Sequence, residues 1–210
     1  MLDGFKIGFR IPLQDVRVAT SASNLKLVRG MEEHTLWTGW GHNLGLGVLA
    51  TLEWKGRRGM LWAELLELAS QNLRDAPCDV LVVHLGGNDL TLRTGKSLIL
   101  WVIQDLQIIM DNKGRLVWSD IIPRLVWKAD CNPRCTDCAR CCVNREVSQA
   151  MRAKHGSVIR PPDIRGHQQE LYRSDGVHLS DMGMGLFLRD LYGGLTAKIF
   201  SLVGGLRAYR

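Results

Sequence analysis

One short apolar run in the middle of the chain constrains the fold more than any other feature of the sequence. The run from Asp79 to Leu85 is rich in valine and leucine, and it ends at Gly86 and Gly87. A run of this length without a polar face is typical of a strand buried on both sides of its sheet. Because such strands occur where helices cover both faces of a parallel sheet, the run indicates an α/β fold.

The segments on either side alternate between strand-like and helix-like patterns, which indicates a parallel sheet in three layers, with helices on both faces. We predict further strands at residues 50–54, 115–119 and 157–160, and helices at residues 61–74, 96–110, 132–155 and 181–202. Functional groups are expected beyond the carboxyl ends of the strands. Glycine-rich sequence without a sustained period comes first, so we predict an irregular amino-terminal arm at residues 1–47 and one domain at residues 48–204.

Composition places the chain among ordinary globular proteins. Of its 210 residues, 46% are hydrophobic and 23% are charged, which excludes a wholly disordered or fibrous chain. The longest apolar stretch, Ser97 to Met110, is interrupted by three polar side chains, so we predict no membrane span. The amino end lacks the apolar core of a signal peptide, and we therefore predict an intracellular protein, cytoplasmic or nuclear, that is not secreted.

Basic charge is concentrated in one segment. The net charge is +6, and residues 113–165 hold eleven Lys and Arg against five Asp and Glu, which accounts for the whole excess. This segment could attract nucleic acid or another anionic partner. The alternative is a solvated basic helix with its loops, which is the commoner meaning of such a pattern.

Five of the six cysteines lie close together, at Cys131, Cys135, Cys138, Cys141 and Cys142. On a helix these spacings form a stripe, whereas tetrahedral zinc needs ligands that converge from a folded loop or from two elements. We therefore predict no metal site, and incidental substitution on a basic helix is the preferred interpretation. A zinc-stabilised binding domain is kept as an alternative.

Residues suited to acyl transfer follow the predicted strands. Asn88 comes directly after the apolar run, where its side-chain amide could donate hydrogen bonds to an oxyanion. Gly59 stands at a predicted helix start, where a backbone N–H could donate to the same charge. Asp175 and His178 have the spacing that lets a carboxylate orient an imidazole acting as general base. Each motif alone is more often structural, a plain turn or a structural pair.

Together these motifs resemble the SGNH, or GDSL, family of serine esterases, over roughly residues 54–191. Gly86 to Asp89 matches the family's Gly-x-Asn-Asp block, and Asp175 to His178 matches its Asp-x-x-His block. The resemblance implies a flavodoxin-like α/β hydrolase fold in which His178 is the general base, Asp175 orients it, and Gly59 and Asn88 supply the oxyanion hole. It also implies an ester or acyl substrate and no cofactor.

Three longer stretches, residues 81–90, 118–124 and 170–180, resemble more narrowly the esterase-like domain of vertebrate tyrosine-recombinase retrotransposons. Residues 4–12 and 23–26 resemble instead the sequence upstream of the reverse transcriptase in such elements. This combination implies a retroelement-derived chain, either a fusion or a relic.

The family's first block, a strand that ends in Gly-Asp-Ser and carries the nucleophile, is not found before Gly59. Ser21 and Ser23 follow a short alternating run, 16–19, that could imitate this strand, and Ser21 is the candidate nucleophile. The alternative is that both hydroxyls occupy a loop and that the sheet is incomplete at its first strand. Two hypotheses follow: a serine esterase, or an inactive SGNH-like fold that serves as a nucleic-acid or assembly module.

Overall fold

The computed structural model of the chain describes residues 5–11, 14–20, 44–46, 49–56, 59–67, 69, 79–113, 115–127 and 132–207. The strands within these ranges are β1 (Phe5–Ile11), β2 (Gln14–Thr20), β3 (Thr51–Gly56), β4 (Val80–His84), β5 (Leu116–Ser119) and β6 (Ser157–Ile159). The long helices are α1 (Gly95–Lys113), α2 (Pro133–Ala153) and α3 (Asp181–Arg207). Single 3₁₀ turns lie at Trp62–Glu64, Asp89–Thr91 and Gln169–Leu171.

The strands form one sheet in the order β3-β1-β2-β4-β5-β6, in which β2, β4, β5 and β6 pair in parallel. Along the chain, α1 lies between β4 and β5, α2 lies between β5 and β6, and α3 follows β6. This is the α/β architecture with a parallel sheet that the sequence predicts.

Strand β4 divides the core into two layers because its side chains alternate between the two faces of the sheet. Val80 and Val82 pack with the buried face of α3, and Leu81 and Val83 pack with α1 and α2. All five residues of β4 are buried. Since burial of one such side chain contributes about 1.5–3 kcal/mol, a continuous apolar run is required at this position. Helices therefore cover both faces, as predicted.

The amino-terminal strands differ from a purely parallel arrangement. β1 and β2 are joined by only two residues, and a connection this short forces them to run antiparallel. β3 in turn pairs antiparallel with β1, which also pairs antiparallel with β4 at Ile7 and Val82. The predicted strand at residues 50–54 is thus an edge strand outside the parallel set. The division of the chain at residues 47 and 48 stays a prediction, although β1 and β2 belong to the sheet.

The register brings several strand ends to one edge of the sheet. Phe5 is paired with Thr20, the last residue of β2, and with Gly56, the last residue of β3. Thr20 is paired in turn with His84, the last residue of β4. β2, β3 and β4 therefore all end at the same edge of the sheet. In the described part of the chain, none of the helices combines the length and hydropathy needed to cross a membrane.

Candidate active site

Asn88 lies in the tight turn after β4, immediately before the 3₁₀ turn Asp89–Thr91. Its side chain is held from two sides: the Nδ2 group donates to the backbone oxygen of Met60 at 3.3 Å, and Oδ1 accepts from Arg124 Nη2 at 2.8 Å. The residue is half-buried. A side-chain amide therefore stands at the carboxyl edge of the sheet in a defined orientation.

Gly59 is an exposed turn residue that leads into the 3₁₀ turn Trp62–Glu64. Its φ of +68° lies in the left-handed region, which glycine adopts without steric cost. Asn88 donates to the carbonyl of Met60, the residue that follows Gly59 in the chain. The Asn88 side chain therefore contacts the segment that carries Gly59.

Asp89 fastens the segment after Gly59 to the end of β4. Its buried carboxylate accepts the backbone N–H of Trp62 with both oxygens, at 3.1 and 3.0 Å. Burial raises the pKa of Asp89 to about 6, although the hydrogen bond from Trp62 acts in the opposite direction. The two chain segments that carry Gly59 and Asn88 are held together by this bond.

The Asp175 and His178 side chains form the second half of the site. Asp175 Oδ1 accepts the backbone N–H groups of Val177 and His178, each at 2.9 Å, and Oδ2 contacts Nδ1 of the His178 ring. Burial opposes ionisation of Asp175, but these backbone bonds and the His178 ring outweigh it and lower the pKa of the carboxyl to about 2. An ionised carboxylate therefore fixes the orientation of the imidazole.

A segment after β5, which we call the bridge (residues 123–127), connects the two halves. Arg124 bonds Asn88, while the backbone N–H of Val126 donates to the carbonyl of Gly176 at 2.8 Å, within the Asp175 and His178 turn. The buried Tyr172 hydroxyl also donates to the carbonyl of Pro123 at 3.0 Å. The bridge therefore contacts both the Asn88 amide and the turn that holds the imidazole.

The candidate nucleophile, Ser21, lies outside the described residues, as does Ser23. The strand that precedes them is described: β2 ends at Thr20 and pairs in parallel with β4. β2 therefore ends at the edge of the sheet from which Asn88 emerges. The short alternating run at residues 16–19 forms a real strand of the sheet.

Several solved structures with the same architecture are described as lipases or esterases. A GDSL-like lipase from Bacteroides thetaiotaomicron aligns with a TM-score of 0.56 and 12% identity over 69% of this chain and 73% of its own. A family 3 carbohydrate esterase from Clostridium thermocellum aligns with a TM-score of 0.55 and 20% identity over 70% of both chains. The chain has the SGNH-hydrolase fold.

The esterase domain of the ORF1 protein from the zebrafish ZfL2-1 retrotransposon also matches, with a TM-score of 0.41 and 17% identity over 66% of this chain and 84% of that domain. A likeness at this level adds nothing to the fold assignment, so the retroelement origin stays a prediction from the sequence. No family model matches the sequence, and no curated protein is similar to it. At these identities the likeness shows the SGNH-type fold.

Four of the five clustered cysteines lie along α2, and Cys131 lies outside the described residues. Cys135, Cys138, Cys141 and Cys142 are free thiols, and the first three are exposed. Among the described residues, no three His, Cys, Asp or Glu side chains converge as metal ligands. The helix begins with Pro133 in its first turn and with Asn132 as its N-cap, whose side chain accepts the N–H of Cys135. Helix geometry therefore spreads these thiols along one element.

The sequence analysis missed the bridge and its arginine. Arg124 lies 36 residues from Asn88, and no periodicity links them. Two signals pointed toward it: the segment follows the carboxyl end of a predicted strand, and Arg124 is the last residue of a stretch, 118–124, that resembles the retroelement domain. An arginine that follows the carboxyl end of a parallel strand is a candidate site residue, because functional groups of α/β sheets lie there.

Proposed function

We propose that this chain is an SGNH-type acyl hydrolase that cleaves esters through a serine nucleophile, and that it derives from a retroelement. Its observed basis is the contact between the His178 ring and the ionised Asp175 carboxylate, in a turn tied to the Asn88 amide through the bridge. In this arrangement His178 is the general base, Asp175 orients it, and Asn88 with the Gly59 N–H forms the oxyanion hole.

The proposed reaction needs only a serine hydroxyl, these groups and water. The serine Oγ attacks the ester carbonyl carbon while His178 Nε2 takes the hydroxyl proton, and the carbonyl oxygen becomes an oxyanion that Asn88 and Gly59 stabilise. The intermediate collapses, the C–O bond to the alcohol breaks, and His178 returns the proton to the leaving oxygen. Water then repeats the sequence on the acyl-enzyme and releases the acid. Asp175 stays ionised throughout and compensates the charge on the imidazolium.

Ser21 is the proposed nucleophile because of where β2 ends. The parallel pairing of Thr20 with His84 ends β2 at the edge of the sheet from which the Asn88 turn emerges. Ser21 is the next residue in the sequence, and the mechanism requires a nucleophile at the carboxyl end of such a strand. Ser23, two residues further on, is the natural comparison.

The test is labelling with a fluorophosphonate probe together with turnover of p-nitrophenyl acetate. We expect the wild-type protein to be labelled on one serine and to hydrolyse the ester, with Ser21→Ala removing both activities and Ser23→Ala retaining them. Mass spectrometry of the labelled peptide identifies the serine directly. A folded wild-type protein that is neither labelled nor active would refute the hydrolase proposal. Labelling at Ser23 would overturn only the choice of nucleophile.

A second candidate function, a nucleic-acid or assembly module, is favoured by one surface. Four basic residues of the segment 113–165 are exposed on α2 and the turn that follows it: Arg134, Arg145, Arg152 and Lys154. If this surface binds nucleic acid, affinity should fall steeply with salt, because each phosphate contact releases condensed counterions. An inactive protein with salt-sensitive binding to a short RNA or DNA duplex would support this candidate over the esterase.

A further inference from the structure

Arg124 contacts the one atom of Asn88 that determines which way its amide faces. A guanidinium has only donors, so the atom that it meets at 2.8 Å must be the carbonyl oxygen of the amide. The Nδ2 group must then point away from Arg124, toward the segment that contains Gly59 and Met60. One N–H of the Asn88 amide donates to the Met60 carbonyl, and the second N–H is the donor left for an oxyanion beside this segment.

The position of Arg124 is itself determined by packing. A side chain at Gly87 would meet Nη2 of Arg124 at 3.1 Å, and the guanidinium carbon lies 5.1 Å from the ring centre of the buried Trp127. On the backbone side, a Cβ at Gly166 would lie 3.1 Å from the Arg124 carbonyl oxygen. The guanidinium is therefore held against Asn88 by the turn after β4, by an indole ring and by a close backbone approach.

We propose that Arg124 is a positioning residue of the proposed esterase reaction, which keeps the Asn88 amide oriented as a donor toward the oxyanion. Rotation of the amide by about 180° would exchange the two donors for a carbonyl oxygen, which repels a developing negative charge. Arg124 prevents this exchange because its guanidinium accepts no hydrogen bond and would clash electrostatically with the amide's NH₂ group. This inference rests on the proposed function for its catalytic consequence and on the Asn88 contact for its structural part.

The competing role for a cation at this edge is direct binding of an anionic group on the substrate. The two roles differ in kinetics. A residue that orients the oxyanion donor acts in the transition state, so its loss lowers kcat and leaves KM nearly unchanged. A residue that binds a substrate carboxylate or phosphate affects KM, and its effect does not depend on Asn88.

The first experiment is a double-mutant cycle with Arg124→Met, Asn88→Ala and the combined variant, assayed on p-nitrophenyl acetate, which carries no anionic group. We expect Arg124→Met to lower kcat by about tenfold to a hundredfold, less than or equal to the loss that follows removal of an oxyanion donor. In the Asn88→Ala background the same change should have almost no further effect. Arg124→Lys, which retains a donor and a charge, should recover part of the loss.

Arg93→Met is the matched control. Arg93 also places its guanidinium over a tryptophan, 4.5 Å from the ring centre of Trp101, and it follows the same turn after β4. Its replacement should leave kcat within about twofold of wild type. A loss in Arg124→Met that persists in full without Asn88, or that falls on KM alone, would overturn the positioning role.

The second experiment measures the amide itself and does not require activity. In the ¹⁵N-labelled protein, the two side-chain NH₂ signals of Asn88 are assigned by their disappearance in Asn88→Ala. Arg124→Met should shift both signals, whereas Arg93→Met should leave them in place. Unchanged signals would refute the inference even if the protein is an esterase. Shifted signals in a protein without turnover would retain the positioning role and refute the proposed function.

Discussion

Two histidines stand near the same edge of the sheet, and their surroundings differ in one decisive respect. His84, at the end of β4, is buried with its Nδ1 atom 3.0 Å from the Ser119 hydroxyl and its ring 4.8 Å from that of Phe187. His178 lies in a turn with its Nδ1 atom on the Asp175 carboxylate. A neutral hydroxyl can satisfy the hydrogen-bonding requirement of an imidazole ring. Only a carboxylate can also compensate the positive charge that the ring acquires as a general base.

The charges of the two sites follow from this difference. Burial lowers the pKa of His84 to about 4, the hydrogen bond with Ser119 opposes the shift, and the nearby Arg124 charge adds to it. The ring is therefore neutral at neutral pH. Asp175, with its pKa lowered to about 2, is ionised at neutral pH. A buried histidine in a strand therefore serves in packing, and it can act as a general base only where an anion contacts its ring.

The largest effect on kcat/KM is expected from replacing His178, and the replacement of His84 serves as its comparison. His178→Ala should lower kcat/KM on p-nitrophenyl acetate by about 10⁴-fold, since it removes the general base and the group that Asp175 orients. His84→Gln, which retains a hydrogen-bonding side chain beside Ser119, should change kcat/KM by less than about tenfold. The rates are compared after circular dichroism has shown that both variants are folded. Equal losses of kcat/KM in the two variants would contradict the assignment of His178 as the general base and of His84 as a packing residue.

The second prediction concerns stability against pH. Because His84 has a pKa of about 4 in the folded chain against 6.5 as its ordinary value, the unfolded chain binds the proton first as pH falls. Stability is therefore lost as pH falls through this window, by about 3 kcal/mol in the free energy of unfolding, with no further loss below it. Urea denaturation at about pH 7 and about pH 4 should show this loss in wild type relative to His84→Gln.

The His84→Gln variant is needed because Asp89 titrates in the same range with the opposite sign. Burial raises its pKa to about 6 from 3.8, so the folded chain gains relative stability as pH falls through that interval. This contribution is common to wild type and variant and cancels in the difference between them. Identical pH dependence in the two proteins would show that His84 is not held neutral by burial.

The secondary structure could be predicted largely because its signals are local. The apolar run of β4 and the helical periods of α1, α2 and α3 were recognisable from neighbouring residues, and their observed bounds differ from the predicted ones by only a few positions. The amino-terminal hairpin was not recognised. Its strands are adjacent to a glycine-rich stretch without a period, and the antiparallel direction of β3 depends on its pairing with β1.

The candidate site was predictable only in part. Asn88 and the Asp175 and His178 pair could be found because each follows a recognisable strand or occupies a short motif. The Arg124 contact and the bond between Asp89 and Trp62 could not, since they join residues 36 and 27 positions apart and depend on side-chain directions. A sequence shows which residues reach an edge of the sheet, while packing determines which of them meet.

The smallest effect is expected from a backbone change in the turn that holds His178. The His178 turn depends on Gly176, whose φ is +65° and where an added Cβ would lie 2.6 Å from a side-chain carbon of Val126. Gly176→Ala should therefore lower the free energy of unfolding by about 2 kcal/mol, through both the backbone strain and the displaced bridge. It should also lower kcat, because Val126 bonds the carbonyl of this residue. Urea denaturation and the ester assay measure the two effects.

Gly193→Ala supplies the contrast for this experiment. Gly193 lies within α3, and apart from its chain neighbours and the adjacent helix backbone no heavy atom of the described residues lies within 4 Å of the place that its Cβ would occupy. Alanine there should raise the free energy of unfolding by about 0.5–1 kcal/mol, because glycine weakens a helix interior, and should leave kcat unchanged. If Gly176→Ala is as well tolerated as Gly193→Ala, the turn adapts to a side chain. The imidazole would then not depend on the bridge for its position, and the coupling between the two halves of the site would be lost.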